Sequence, residues 1–140
     1  MKFTHPLISI IIINYNGKYF LDECLGSVMK VNFPKNNYEI IVVDNNSRDT
    51  SVEYIKINYP EVKIIESEIN LGFAEGCNLG VTNANGKYIV FLNTDTKVEQ
   101  GWLLPLVKRI KSDNKIAAVN SKILSYFPFF EISVKSDVYM

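Results

Sequence analysis

The chain has 140 residues, 47% of them hydrophobic and 21% charged, with fifteen basic residues balanced by fifteen acidic ones. That composition belongs to one ordinary globular domain and excludes disordered and fibrous classes; at this length roughly two thirds of the unfolded surface is buried, so no disulfide or structural metal is needed. A zero net charge creates no field for nucleic acid or an anionic membrane, so any phosphate has to be caught by local groups.

In chain order, Lys2 followed by the apolar run 7–13 imitates a secretory leader. The run is short, however, and it passes into Asn14-Tyr15-Asn16-Gly17 with no small-residue cleavage site. No later stretch approaches the ~20 apolar residues of a membrane helix. The expectation is a cytoplasmic protein, with peripheral contact at the inner face of the membrane left compatible. Run 7–13 therefore reads as a first strand. Leu21, Cys24, Leu25, Val28 and Met29 then share one face of a helix over about 19–30. Run 38–43 is a second strand, and Val52, Ile55 and Tyr59 mark a helix from Arg48 onward. Run 62–65 is a third strand, followed by a helix over about 73–83 and a fourth strand at 88–92. Thr96 and Glu99 have capping-box spacing, which predicts a fourth helix carrying Leu103, Leu106, Val107 and Ile110 inward, with Pro105 separating its first turn. Run 116–119 reads as a fifth strand.

The first, second and fourth runs are nearly continuous in Ile, Val, Leu and aromatics, the pattern of strands covered on both faces. Strand alternating with helix predicts an α/β fold: an open, mostly parallel sheet with right-handed crossovers and helices on both faces. Residues 1–121 are expected to form this domain. Residues 122–140, with Tyr126-Phe127-Pro128-Phe129-Phe130, break the rhythm and are expected to begin an acceptor-side region or a tail. Cys24 and Cys77 fall in different helices among apolar neighbours, and two thiols make neither a disulfide framework nor a four-ligand zinc site, so both are expected to be buried and reduced.

Ligands of a doubly wound sheet bind beyond the carboxyl ends of the strands. There the chain carries Asn14-Tyr15-Asn16-Gly17, Asp44-Asn45-Asn46-Ser47 and Asn93-Thr94-Asp95-Thr96. Turns and helix caps use the same residue types, so one such segment says little, but three on one edge say more. Asp44 can accept hydrogen bonds from a base imide or a ribose hydroxyl, Tyr15 offers a ring for stacking, and Asp95 is a hard oxygen ligand for Mg²⁺ or Mn²⁺. Gly72, Gly76 and Gly80 recur every four residues. Inside a helix a glycine costs about 1 kcal/mol relative to alanine. Something must therefore approach the backbone: a diphosphate at the helix N-terminus, or tight packing on the sheet, the second being preferred for Gly80. Other features read as ordinary structure. Asn45-Asn46-Ser47 matches the N-glycosylation pattern by turn composition alone, His5 is an exposed bystander, Trp102 is a core anchor, and Lys108, Arg109 and Lys111 form a solvated helix face.

The segments Ile11-Ile12-Ile13-Asn14-Tyr15-Asn16-Gly17, Ile41-Val42-Val43-Asp44-Asn45-Asn46-Ser47, residues 70–80 and Phe91-Leu92-Asn93-Thr94-Asp95, in this order across residues 7–120, resemble the family-2 glycosyltransferases, especially the rhamnosyltransferase-like branch. The resemblance implies a GT-A fold, a nucleotide-diphospho-sugar donor, transfer with inversion to an acceptor hydroxyl of a glycan or lipid-linked acceptor, and a Mg²⁺ or Mn²⁺ cofactor. Carried over residue by residue, Tyr15 and Asp44 would hold base and ribose, Asn70 and Asn78 would line the sugar-diphosphate cleft, and Asp95 would bind the metal. Asn14, Asn46, Gly76 and Asn93 complete the expected donor-binding set. The family's metal motif often has two aspartates flanking one residue, and here Asn93 stands in place of the first, a variant also seen in the rhamnosyltransferase-like branch, which leaves one carboxylate and the donor's phosphate oxygens to hold the metal. The general base of relatives lies well after that motif. No catalytic residue is assigned in this chain, because no motif supports Glu131 or Asp137 and the base is expected after residue 140.

The competing reading is a nucleotide-sugar-binding module or fragment that needs another segment for activity. A nicotinamide dehydrogenase is disfavoured because Asn14-Tyr15-Asn16-Gly17-Lys18 stands where a G-x-G-x-x-G turn belongs, and a sugar nucleotidyltransferase because the glycine- and arginine-rich opening loop is absent. No nucleic-acid partner is expected, whereas a homo-oligomer is compatible with the sequence. The base, sugar and acceptor are not written in these residues.

Overall fold

The computed structural model describes residues 7–124. Over these residues β1 (Ile8–Asn14), α1 (Lys18–Met29), β2 (Tyr38–Asp44), α2 (Ser51–Asn58), β3 (Lys63–Glu66), α3 (Gly72–Thr82), β4 (Tyr88–Asn93) and α4 (Leu103–Lys111) follow one another, with a single 3-10 turn at Lys35–Asn37. The four strands pair in parallel in the order β3-β2-β1-β4. The chain thus builds outward from β1 to β3 and then returns to the other side of β1. That reversal opens a crevice at the carboxyl ends of β1 and β4, where ligands of open α/β sheets bind.

Continuous apolar composition in β1 and β2 follows from burial on both sides. Ile11, Ile41 and Val43 form a fully buried cluster, joined by Ile13, Ile65, Leu79, Ala84 and Ile89. This is the face on which α3 lies, since α3 packs on β1 and β2. The opposite parity, Ile8, Ile10, Ile12 and Val42, is equally inaccessible. That second face therefore has a cover too, and α1 and α2, which pack on each other, bring Leu21, Cys24, Leu25, Val28, Val52 and Ile55 to be buried. Each such side chain removed from water contributes about 1.5–3 kcal/mol before chain entropy is set against it. The expected open parallel sheet with helices on both faces is the observed architecture.

By packing, the chain divides into two units, 1–101 and 102–140. The sheet and α1 to α3 belong to the first. The second contains α4, which buries Leu103 and Val107.

Three sequence expectations are corrected. The fourth helix does not start behind Thr96: α4 begins at Leu103, and the Thr96 hydroxyl instead donates to Asn93 O at 2.5 Å, closing the turn after β4. With that start, Pro105 is the third residue of α4, in the first turn, where backbone N–H groups have no intrahelical acceptor, so it interrupts nothing. Run 116–119 makes no strand, because a strand exists only where another backbone pairs with it and the second unit holds no other strand among the described residues. The helix expected from Arg48 begins later, at Ser51, because Thr50 sits in the left-handed region at φ 62°. The segment 126–130, His5, Glu131 and Asp137 lie outside the described residues.

Candidate functional site

Register places the polar tips side by side. Asn14 pairs with Asp44, and Ile13 pairs with Asn93, so the loops after β1, β2 and β4 leave from one edge in adjacent positions. Gly17 is the point of closest approach. A Cβ there would fall 2.6 Å from Asn14 Oδ1 and 3.3 Å from Thr94 Oγ1, so only glycine lets the β1 and β4 loops close on each other.

Asp44 is 3% exposed, and its carboxylate is held from inside the fold. Asn14 Nδ2 donates to Oδ1 at 2.7 Å and Ser47 N donates to Oδ2 at 2.9 Å, so a buried charge is matched by two charge-assisted hydrogen bonds. Asn14, fully buried, spends its other Nδ2 hydrogen on Ser47 Oγ at 3.1 Å. Its Oδ1 has no protein partner. Tyr15 stands next to it with its side chain 54% exposed. Asn46 is exposed at φ 62°. Asn93 and Asp95 are exposed at the tip of β4, and the Asp95 carboxylate has no hydrogen bond or ion pair among the described residues.

The three spaced glycines turn out to serve three purposes. Gly72 has φ +74° with open space beside it, so the requirement is conformational. Gly80 is pressed on the sheet, since a Cβ would sit 2.5 Å from Ile11 Cγ2, which bears out the packing reading. Gly76 lies between the two: its Cβ would meet Ile13 Cγ2 at 3.2 Å and Asn45 Nδ2 at 3.3 Å. That bare backbone admits the Asn45 side chain, which donates to Gly72 O at 2.9 Å and leaves its Oδ1 buried without a partner. The start of α3 is thereby tied to the tip of β2. Asn70 Oδ1 accepts from Gly72 N at 2.9 Å and caps this turn. Asn78 is exposed on α3, about 9 Å along the axis from its first residue.

Sequence reasoning passed over Ser47, Asn45 and Asp49. Ser47 Oγ accepts from both Asn14 Nδ2 and Asn16 N, and Asp49 Oδ2 accepts from Lys18 N at 2.9 Å, at the start of α1. The signal available for Asn45 was its neighbourhood to an acidic strand tip together with a glycine in a helix that had to face something. Cys24 and Cys77 are free and buried, as expected. Burial pushes the Cys24 thiol up to about 11, with the Asp95 carboxylate adding to the effect, and its Sγ lies 3.6 Å from Asn93 O. The thiol is therefore an inert part of the wall under β4. An open groove of about 510 Å³, lined by Asn16, Lys18, Tyr19, Asp22, Asp49 and Tyr54, lies beside this edge and includes neither Tyr15 nor Asp95.

No group of three or more His, Cys, Asp and Glu residues gathers among the described residues. The exposed Asp95 carboxylate could serve as a single protein ligand to a hard divalent cation, which commonly takes its remaining oxygens from a phosphorylated ligand or from water. Over residues 9–133 the chain matches the model of glycosyl transferase family 2. The chain belongs to this family. A Haemophilus influenzae protein described as an uncharacterized glycosyltransferase is 30% identical over 120 residues, covering 83% of this chain and 36% of that protein. The poly(ribitol-phosphate) beta-glucosyltransferase of Bacillus spizizenii is 37% identical over 102 residues, covering 69% of this chain and 16% of its own length. Among solved structures, S. aureus TarS 1-349 in complex with UDP-GlcNAc superposes with a TM-score of 0.68 at 27% identity, covering 74% of this chain and 31% of that one. The family-2 chain therefore spans about a third or less of the length of these relatives, and its sheet is that of the GT-A glycosyltransferases.

Proposed function

We propose that this chain is the nucleotide-sugar-binding part of an inverting glycosyltransferase of the rhamnosyltransferase-like branch, which passes a hexosyl or deoxyhexosyl group from a nucleotide-diphospho-sugar to an acceptor hydroxyl in glycan or lipid-linked glycan synthesis. Residues 1–121 form the donor side and 122–140 begin the acceptor side. The observation that carries this reading is the adjacency of three polar tips, Asn14-Tyr15, Asp44 and Asn93-Thr94-Asp95, at the switch point of a parallel sheet.

In this reading the exposed ring of Tyr15 stacks on the base, and Asp44 accepts from base or ribose with the lone pairs that Asn14 and Ser47 leave over. Asn46, Asn70, Asn78 and Asn93 line the donor cleft, with Asn14 and Gly76 buried behind them as its floor. Free N–H groups in the first turn of α3 face negative charge on the diphosphate. Mg²⁺ or Mn²⁺ held by Asp95 and phosphate oxygens would neutralise charge on the departing nucleoside diphosphate. Asp95 is suited to that role because its carboxylate is exposed and makes no hydrogen bond or ion pair among the described residues. The acceptor proton needs a general base, a role assigned to no residue of this chain.

No helix among the described residues is long and apolar enough to cross a membrane. A cytoplasmic protein, in peripheral contact with the membrane where its acceptor is lipid-linked, fits that reading. The second reading is a non-catalytic nucleotide-sugar-binding module or fragment that needs another segment for activity.

The test is a thermal-shift and calorimetric screen of UDP-, GDP- and dTDP-sugars with and without Mn²⁺, since a ligand selective for the native state raises its stability by mass action. One base should win, Mn²⁺ should strengthen its binding, and Asp95→Ala should abolish the Mn²⁺ effect. Preference for NAD or a nucleoside triphosphate would sink the proposal. Radiolabelled transfer by the chain alone would exclude the second reading.

A further inference from the structure

The two loops expected to hold the nucleotide are not independent. Asn45 N donates to Asn14 O at 2.8 Å, Arg48 N to Asn16 Oδ1 at 2.8 Å, and Lys18 N to Asp49 Oδ2 at 2.9 Å. At the centre of this seam is the Ser47 hydroxyl, which receives Asn14 Nδ2 at 3.1 Å and Asn16 N at 2.9 Å. Both its lone pairs are used, and both donors come from the β1 loop.

Those two donors flank Tyr15. Among the described residues the Tyr15 side chain has no hydrogen bond and no ring partner of its own, and it is 54% exposed. The backbone on either side therefore sets where its Cα–Cβ bond points and so from where the ring reaches out. On one side Asn14 is buried and anchored to Asp44 and Ser47. On the other, Asn16 is at φ 50°, in the left-handed region that most side chains avoid and asparagine tolerates, and two hydrogen bonds retain it there. They run from its N–H to Ser47 Oγ and from Arg48 N to its side chain. Ser47 also donates its own N–H to Asp44 Oδ2 at 2.9 Å, so one residue touches every element of the pair Tyr15 and Asp44.

We infer that Ser47 is a positioning residue for the nucleotide: it acts through Tyr15, holding the ring at the angle at which a base can stack on it beside Asp44. This inference rests on the proposed nucleotide-sugar reading and deepens it. A preorganised ring binds more tightly because its ordering cost is met on folding rather than on binding.

The experiment is a double-mutant cycle of Ser47→Ala and Tyr15→Ala in the 140-residue chain, read by calorimetric titration with UDP, GDP and dTDP in the presence of Mn²⁺. Ser47→Ala should weaken binding of the preferred nucleoside diphosphate about tenfold in the otherwise native chain and less than twofold in the Tyr15→Ala background, because the ring through which it acts is gone. Ser47→Thr, which keeps the hydroxyl, should stay within threefold of the native affinity. Amide exchange of Asn16 should accelerate about tenfold in Ser47→Ala without any ligand. If Ser47→Ala does not fold, Ser47→Cys serves in its place, being similar in size and a poor acceptor. Equal losses in both backgrounds, or an Asn16 amide that exchanges as in the native chain, would overturn the role of Ser47 while leaving the nucleotide reading intact. A native chain that binds none of the three diphosphates would sink the nucleotide reading itself, and the ligand-directed role of Ser47 with it.

Discussion

Asn14 Nδ2 donates to Asp44 Oδ1 at 2.7 Å between the paired last residues of β1 and β2. Both side chains are buried, so this bond is part of how the fold tolerates a carboxylate at the root of the candidate site. Asn14→Leu keeps the number and branching of the side-chain heavy atoms and removes the donor, which leaves Asp44 with Ser47 N alone among the described residues. A hydrogen bond to a charged group contributes about 1.5–3 kcal/mol, and the variant should lose about that much in urea denaturation at pH 7. A loss under about 0.5 kcal/mol would mean that the carboxylate is satisfied without Asn14.

Gly80 offers a test in which two local effects oppose each other. Alanine is the better helix former by about 1 kcal/mol, which favours Gly80→Ala in α3. Against this, the new Cβ would lie 2.5 Å from Ile11 Cγ2 and 3.2 Å from Val43 Cγ2, both on stiff β-branched side chains in a fully buried cluster. Overpacking of this kind costs about 1–3 kcal/mol, so a net destabilisation is expected, measurable as a lower urea midpoint. Gly101→Ala, with nothing near its Cβ, should leave the midpoint unchanged. Equal midpoints for Gly80→Ala and the native chain would contradict the packing described for α3.

Glu39 sets a pH dependence of stability. Burial raises its pKa, but hydrogen bonds from Ser9 Oγ at 2.6 Å, Asn85 N at 2.6 Å and Asn85 Nδ2 at 3.2 Å, with Lys63 nearby, outweigh burial and hold the carboxyl below its usual range. A lowered native pKa means that the unfolded chain binds more protons, so the stabilisation is full above the unfolded value of about 4.3 and is lost as pH falls through the native value. Glu39→Gln should therefore cost about 1 kcal/mol at pH 7, discounted for solvent screening at a half-buried site, and the gap should close toward pH 3. Urea midpoints of both chains across pH 7 to 3 decide it, and a gap independent of pH would refute the assignment.

Much of this molecule was legible before any coordinate. The runs that became β1 and β2 were readable because a strand covered on both faces has to be apolar throughout, whereas β4, read the same way, ends the sheet among the described residues and leaves Phe91 half exposed. α1 was found within a residue of its limits, since its buried stripe repeats at helical spacing, and α3 also lies within a residue of its expected bounds. The polar residues behind the strands were readable as an edge once a parallel sheet was expected. Misreadings arose where a local pattern has two outcomes. Thr96 and Glu99 have the spacing of a helix cap, but the Thr96 hydroxyl closes a turn on Asn93 O. Ala117 and Ala118 in the apolar run 116–119 are exposed and pair with nothing described.

Burial periodicity is a local property, and it was enough by itself to determine that this chain folds as an α/β sheet with its polar residues gathered behind the strands. Which tips become neighbours depends on strand order and register, which are settled by closing contacts between residues thirty to eighty apart, and no local pattern encodes that closure. Only the tertiary structure therefore decided that Asn14 and Asp44 share a bond, that Gly17 lies against Thr94, and that one serine hydroxyl between two loops anchors both flanks of Tyr15.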